Sequence, residues 1–137
     1  MRVKDLMSKP PITVLPSTPV LDARHIMQTQ RVRHLLVLED GRLTGIITDR
    51  DIRLNLPSPA TTLSVWELNY LLARVTVADV MTRNVIVVEP GHDARDAAAL
   101  LVGKKIGALP VVDAGFLVGI VTETDFLRAF VASPAAV

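Results

Sequence analysis

The chain has 137 residues, enough for one compact domain or two very small ones. Half of them are hydrophobic but only 4% are aromatic, so the core must be built mostly from Val, Leu, Ile and Ala. A formal net charge of +1 provides no broad basic field for nucleic acid or an anionic membrane, and the lack of cysteine excludes a disulfide framework and a zinc–thiolate site.

The opening residues, MRVKD, carry charge with no apolar stretch behind them, unlike a signal peptide. No run approaches the ~20 apolar residues of a membrane span. Together with the missing cysteines, this reads as a soluble, cytoplasmic protein.

Taken in order, a helical turn is expected over 3–7 and a brief strand near 12–14. Thr18 is expected to cap a helix with Pro19 at its first position, where the missing N–H costs nothing. Val20, Ala23, Ile26 and Met27 then share one helix face. Residues 35–38 read as a buried strand, 39–41 (Glu-Asp-Gly) as a turn, and 43–48 as a returning strand. A second helix follows Thr48 and carries Ile52 and Leu56 inward. The stretch GIITDRD at 45–51 reads in two ways: an ordinary strand entering a capped helix, or a site with Thr48 and Asp51 turned toward a ligand.

Pro57, Ser58, Pro59 and Ala60 should break that helix. Ser64 and Glu67 fit a capping box for a short linker helix. Trp66, Tyr70 and Leu71 make this helix apolar on one side, suited to local packing over the core or to a dimer contact.

The remainder largely repeats what came before. Shifted by 74 positions, residues 3–53 align with 77–127 without a gap and with 16 identities in 51 positions, spread over varied residue types that low complexity would not produce. In the second copy Asp93 takes the cap position, and Ala94, Ala97 and Leu101 take the helix face. Each copy follows a β-α-β-β-α plan. About 50 residues in this plan cannot bury both faces of a three-stranded sheet, so the two copies should cover each other. The expected architecture is therefore α/β (α+β): tandem repeats packed as one pseudo-twofold globule with an inserted linker helix. Repeat 1 spans 1–56, the linker 57–76, repeat 2 77–131 and a tail 132–137.

The doubled motifs are DLMS at 5–8 with DVMT at 79–82, RHLLVLED at 33–40 with GALPVVD at 107–113, and GIITDRD at 45–51 with GIVTETD at 119–125. In this order and at constant offset, the chain resembles the cystathionine-β-synthase (CBS) domain family, in the paired form called a Bateman module. It is similar to the stand-alone pairs of acetoin-utilisation-type proteins. The resemblance implies a regulatory, non-enzymatic module that binds an adenosine-containing ligand (AMP, ADP, ATP or S-adenosylmethionine) in two clefts between the repeats and signals to an effector protein. It also implies a homodimer through helix faces, including those over 20–27 and 126–130. No cofactor is required on this reading.

By family analogy, one cleft joins Ile120, Thr122, Thr124 and Asp125 to Ser8, Thr13, Val32 and Arg33. The other joins Ile46, Thr48, Arg50 and Asp51 to Thr82, Val87, Ile106 and Gly107. Asp51 and Asp125 can accept both hydroxyls of a ribose. Thr48 and Thr122 lie near free helix N–H groups that suit a phosphate, and Ile46 and Ile120 can pack beside a purine. The plain alternative is that T-x-x-D is only a helix cap.

The repeats differ in charge. Arg33 and His34 face Gly107 and Ala108 in the alignment, and Arg50 faces Thr124. Arg33 and Arg50, with His34 as a further candidate, can meet phosphate, so phosphate-rich ligands are expected to prefer the cleft containing Arg50. A ligand-free interaction module is the main alternative, and nucleic-acid binding a more distant one with so few aromatics. His25, His34 and His92 are scattered and suggest no metal site, no nucleophile–histidine–acid set assembles, and Lys104-Lys105 lacks phosphate-loop spacing. Met27 and Met81 read as core fillers.

Overall fold

The computed structural model describes residues 1–56 and 62–134. The expected break at Pro57–Ala60 and the last three tail residues lie outside them. The described elements are α1 (Val3–Leu6), β1 (Thr13–Val14), α2 (Val20–Gln30), β2 (His34–Glu39), β3 (Arg42–Thr48), α3 (Asp49–Asn55), α4 (Val65–Leu72), α5 (Val77–Val80), α6 (Ala94–Lys104), β4 (Ala108–Asp113), β5 (Phe116–Thr122) and α7 (Glu123–Ala132). This is a mixed α+β fold with two small sheets, ordered β1-β2-β3 and β4-β5.

The 74-residue offset recurs in the geometry. The antiparallel pairs β2–β3 and β4–β5 have equivalent registers, each with an irregularity at the equivalent point, after Val37 and after Val111. Both hairpins turn on two residues with positive φ, Asp40-Gly41 (52° and 77°) and Ala114-Gly115 (50° and 85°). That is the turn whose twist matches paired strands, and the Asp-Gly signal anticipates it in the first copy. Arg31 and Lys105 end α2 and α6 in the same left-handed conformation.

The first strand survives in one copy only. In repeat 1, β1 runs parallel to β2, and the Leu36 amide donates to the Ile12 carbonyl at 3.1 Å. The equivalent of Leu36 is Pro110, which has no N–H to give. Repeat 2 keeps a single parallel bridge, Val88 to Val111.

The chain divides into two compact units whose boundaries do not follow the sequence repeats. One comprises Ile12–Asn84, the other Met1–Pro11 with Val85–Val137. Each repeat's first helix thus belongs to the unit of the other repeat's sheet. In the first of these units, Val77 and Met81 join Val20, Ala23, Met27, Leu35, Val37, Ile47 and Ile52 in one apolar core. In the second, Val3 joins Val88, Ala97, Leu101, Leu109, Val111 and Val121. Leu35 and Leu109 are fully buried, each worth about 1.5–3 kcal/mol in removed apolar surface.

Two local expectations are corrected. The residue preceding α2 is Pro19, and the Thr18 hydroxyl instead accepts the Leu15 amide at 3.0 Å, closing the loop before the helix. Asp93, at the position equivalent to Pro19 in repeat 2, does cap α6 through the Arg95 amide at 2.7 Å. The linker helix α4 has its Ser64 cap, with the Glu67 amide donating to Ser64 Oγ at 3.2 Å. It does not lay its aromatic side over the core: Trp66 is 84% exposed and no residue of α4 is buried. The Arg74 guanidinium sits 4.2 Å from the Tyr70 ring centroid. Among the described residues, no helix is long and apolar enough to cross a membrane.

Candidate functional site

Each GhhT-x-x-D stretch (h, apolar) ends a strand and opens a helix, because its Thr has extended backbone and its Asp stands at the third helical position. In the first copy the Thr48 amide donates to Asp51 Oδ2 at 3.0 Å, and the Asp51 amide donates back to Thr48 Oγ1 at 3.0 Å. In the second, the Thr122 amide and hydroxyl both donate to Asp125 Oδ2, at 2.8 and 3.2 Å. The cap therefore holds each carboxylate through Oδ2. Among the described residues, Oδ1 of Asp51 and of Asp125 has no protein partner and keeps its acceptor capacity.

The chain contains its own control for this geometry. Thr76 and Asp79 form the same box at the start of α5, with bonds of 2.9 and 3.1 Å to Asp79 Oδ2. The Thr76 amide, then its hydroxyl, hold the Asp79 carboxyl below its ordinary value of 3.8. Asp79 is exposed, Asp51 half-buried, and Asp125 only 9% exposed, the one buried polar residue among those described. Cap geometry and an open Oδ1 do not mark a site, since Asp79 has both; the shelter of Asp51 and Asp125 distinguishes these two motifs from the third box.

An arm of chain runs beside each motif. Ser8 bridges Ile120 through amide–carbonyl bonds of 2.9 and 3.2 Å, and Thr82 bridges Ile46 through bonds of 2.9 and 3.0 Å. The glycines of the motif make this approach possible. A Cβ on Gly119 would stand 2.9 Å from the Ser8 carbonyl oxygen and 3.0 Å from Met7 Sδ. On Gly45 it would stand 2.9 Å from the Thr82 carbonyl oxygen and 2.7 Å from Met81 Sδ. Sequence reasoning used these glycines as motif letters and missed their task, because their neighbours come from the other repeat's first helix. The DLMS/DVMT motif was the available signal, since it supplies both the methionine and the hydroxyl residue of each arm.

The middle motif is tied to the end motif within each unit. The Asp49 amide donates to the Arg33 carbonyl at 3.0 Å, and the Glu123 amide to the Gly107 carbonyl at 3.1 Å. The Ile12–Asn84 unit holds Thr13, Val32, Arg33, His34, Ile46, Thr48, Arg50, Asp51 and Thr82. The other unit holds Ser8, Val87, Ile106, Gly107, Ile120, Thr122, Thr124 and Asp125. Arg50 and Thr124 are exposed on the first turns of α3 and α7, and Thr13 and Val87 are exposed near the first-strand positions.

Within the Ile12–Asn84 unit, a cavity of about 470 Å³ lies against β1, with Thr13, Leu15, Thr18, Ile26 and Gly41 in its wall. A groove of about 390 Å³ between α2 and α3 has Met27, Val32, Ile52 and Leu56 as its apolar floor and Arg24, Arg33 and Arg53 around it. Among the described residues no cluster of three or more His, Cys, Asp or Glu is arranged to hold a metal.

The family model described as CBS domain matches residues 3–58 and again 77–132. Among solved structures, the chain is similar to CBSX2 in complex with AMP: 35% identity, 98% of this chain and 99% of that one, TM-score 0.82. It is similar to the CBS domain pair of protein MJ0100 in complex with 5′-methylthioadenosine and S-adenosyl-L-methionine, at 32% identity, 95% of each chain and TM-score 0.76. It also resembles a Vibrio cholerae protein described as an acetoin utilization protein (AcuB), at 30% identity, 96% of this chain and 90% of that one, TM-score 0.80. Curated relatives vary in length: the chain spans 92% of MJ1426 but 46% of MJ1225, both from Methanocaldococcus jannaschii, and 21% of a Thermoplasma acidophilum inosine-5′-monophosphate dehydrogenase.

Proposed function

Since the chain belongs to the CBS-domain family, as a pair of CBS domains, we propose that it is a regulatory module that binds an adenosine-containing ligand and passes its occupancy to an effector protein. The observation that carries this reading is the doubled, sheltered carboxylate: Asp51 and Asp125, each pinned through Oδ2 and open at Oδ1. A ribose offers two neighbouring hydroxyl donors to such a group. The ligands of CBSX2 and of the MJ0100 pair support the same class, AMP or S-adenosylmethionine, without choosing between them. Arg50 supplies a cation beside Asp51 that Thr124 does not supply beside Asp125, so a phosphate-bearing ligand favours the Asp51 motif. No residue of this proposal performs bond chemistry; binding alone shifts the population recognised by the effector. The module acts in the cytoplasm as a homodimer formed through its helix faces.

The test is a thermal-shift titration with AMP, ADP, ATP and S-adenosylmethionine. A ligand at a hundred times its Kd adds about 2.7 kcal/mol, a shift of roughly 10 °C for a chain of this size. Asp51→Asn and Asp125→Asn keep an oxygen for the cap but replace the open oxygen with a donor, so each should lower the shift while leaving the unliganded melting temperature nearly unchanged. Full shifts in the double variant refute the ribose role, and no shift with any of the four ligands refutes the adenosine class.

A further inference from the structure

The loops that precede α2 and α6 each anchor a short helix in the same way. In repeat 1 the Thr18 amide donates to the Leu15 carbonyl, the Val77 amide to the Thr18 carbonyl and the Ala78 amide to the Pro16 carbonyl, at 3.1, 2.8 and 2.9 Å. In repeat 2 the His92 amide donates to the Glu89 carbonyl, the Val3 amide to the His92 carbonyl and the Lys4 amide to the Pro90 carbonyl, at 3.1, 2.9 and 3.0 Å. Each loop thus receives the first two amides of a four-residue helix, α5 in one unit and α1 in the other.

One side chain closes each loop, and here the copies differ in chemistry. The Leu15 amide donates to Thr18 Oγ1 at 3.0 Å, and the Glu89 amide donates to His92 Nδ1 at 3.1 Å. A hydroxyl accepts whatever the pH. An imidazole nitrogen accepts only in the neutral ring, because both nitrogens carry hydrogen in the cation. Histidine is the side chain that changes charge between about pH 5 and 8. His92 is exposed, so solvent supplies that proton directly.

We propose that His92 is a proton-sensitive positioning residue for the arm beside Asp125. Neutral His92 closes the loop over 89–92, and the carbonyls of that loop anchor α1. Helix α1 leads into Ser8, which bridges Ile120 of the GIVTETD motif. Protonation sets a ring N–H against the Glu89 N–H, so the loop opens and the arm loses its anchor. The closing bond is present at neutral pH and lost as pH falls. The charged groups on the loop and the elements it joins are Glu89 and Asp93, the Met1 amino group, Arg2, Lys4 and Asp5, and Arg95 and Asp96 of α6. Their signs balance. The Arg2 guanidinium donates to the Gly91 carbonyl and the Arg95 amide to Asp93 Oδ1, bonds that do not depend on the imidazole. The consequence for ligand rests on the adenosine reading above: acid weakens binding at the Asp125 motif. It spares the Asp51 motif, whose arm follows the helix anchored by the Thr18 loop.

Amide NMR of the whole, unliganded chain between about pH 7.5 and 5.5 tests the latch. In the wild type the Glu89 amide should titrate together with the His92 ring. Protection of the Ser8 and Ile120 amides, corrected for intrinsic exchange, should fall roughly fivefold, the worth of one hydrogen bond. The Leu15 and Thr82 amides, in the hydroxyl-closed copy, should hold steady. His92→Thr installs the acceptor of repeat 1 and should flatten the profile, while Thr18→His should transfer it to Leu15 and Thr82. A Glu89 amide that ignores the ring, a profile that persists in His92→Thr, or a Leu15 amide unmoved in Thr18→His overturns the proposal. AMP is the ligand probe. Its affinity, read at the Thr122 amide, should fall roughly fivefold further with acid in the wild type than in His92→Thr, the titration of its phosphate being common to both. Equal falls overturn the link from arm to site. AMP bound at neither motif counts against the adenosine reading, and the unliganded profile still decides the latch.

Discussion

Gly119→Ala measures how closely the chain's first residues approach the second sheet. The added methyl would stand 2.9 Å from the Ser8 carbonyl oxygen, a backbone atom that cannot swing aside, and 3.0 Å from Met7 Sδ. Relief requires the arm to lift, which loosens the two amide–carbonyl bonds between Ser8 and Ile120. At about 1 kcal/mol for each bond, with overpacking of about 1–3 kcal/mol as an independent guide, the loss should be about 2–3 kcal/mol. Gly103→Ala is the internal control: it lies within α6, and a methyl added there would meet nothing within 4 Å, so it should stabilise by about 0.5–1 kcal/mol. Urea unfolding followed by far-ultraviolet circular dichroism is the assay, because the single tryptophan is 84% exposed and reports poorly on burial. A Gly119→Ala loss below about 0.5 kcal/mol would refute the close approach and, with it, the explanation of why the motif begins with glycine.

Other outcomes follow from single positions. Ala114 holds φ of 50° in the second hairpin, so Ala114→Asn, which makes the favoured Asn-Gly turn, should raise stability by about 1 kcal/mol in the same assay. Ile52 is 2% exposed, and Ile52→Ala should cost about 2–5 kcal/mol, with an unchanged midpoint arguing against its place in the core. Asp79 has its folded pKa lowered, so its contribution is present above 3.8 and fades as pH falls through the folded value. The stability difference between wild type and Asp79→Asn should therefore shrink on acidification below about pH 4; a difference that grows there contradicts the sign.

Much of the architecture follows from short-range chemistry and was legible along the chain. The helix over 20–30 shows in its apolar spacing, the hairpin in Asp40-Gly41, the linker helix in Ser64 and Glu67, and both sheltered motifs in their repetition. Even the reduced first strand of repeat 2 is explicable from one residue, since Pro110 lacks the amide that Leu36 uses. The cap of α2 was misjudged because a Thr beside a Pro satisfies either the loop behind it or the helix ahead, and the loop took the hydroxyl.

Sequence by itself determined the doubling, its 74-residue period and the residue types of the two motifs, because these depend on contacts within a few positions or on direct comparison of the copies. It could not assign the first helices. Val3 and Met7 are chemically identical to Val77 and Met81, so either helix suits either sheet, and periodicity is the same for both assignments. Only the family analogy had set Ser8 with Ile120 and Thr82 with Ile46; the tertiary structure places each first helix in the unit of the other repeat's sheet, and with that gives Gly45 and Gly119 their purpose. It also separated Asp51 and Asp125 from Asp79, since burial depends on residues distant in the chain while a T-x-x-D cap depends on three neighbours.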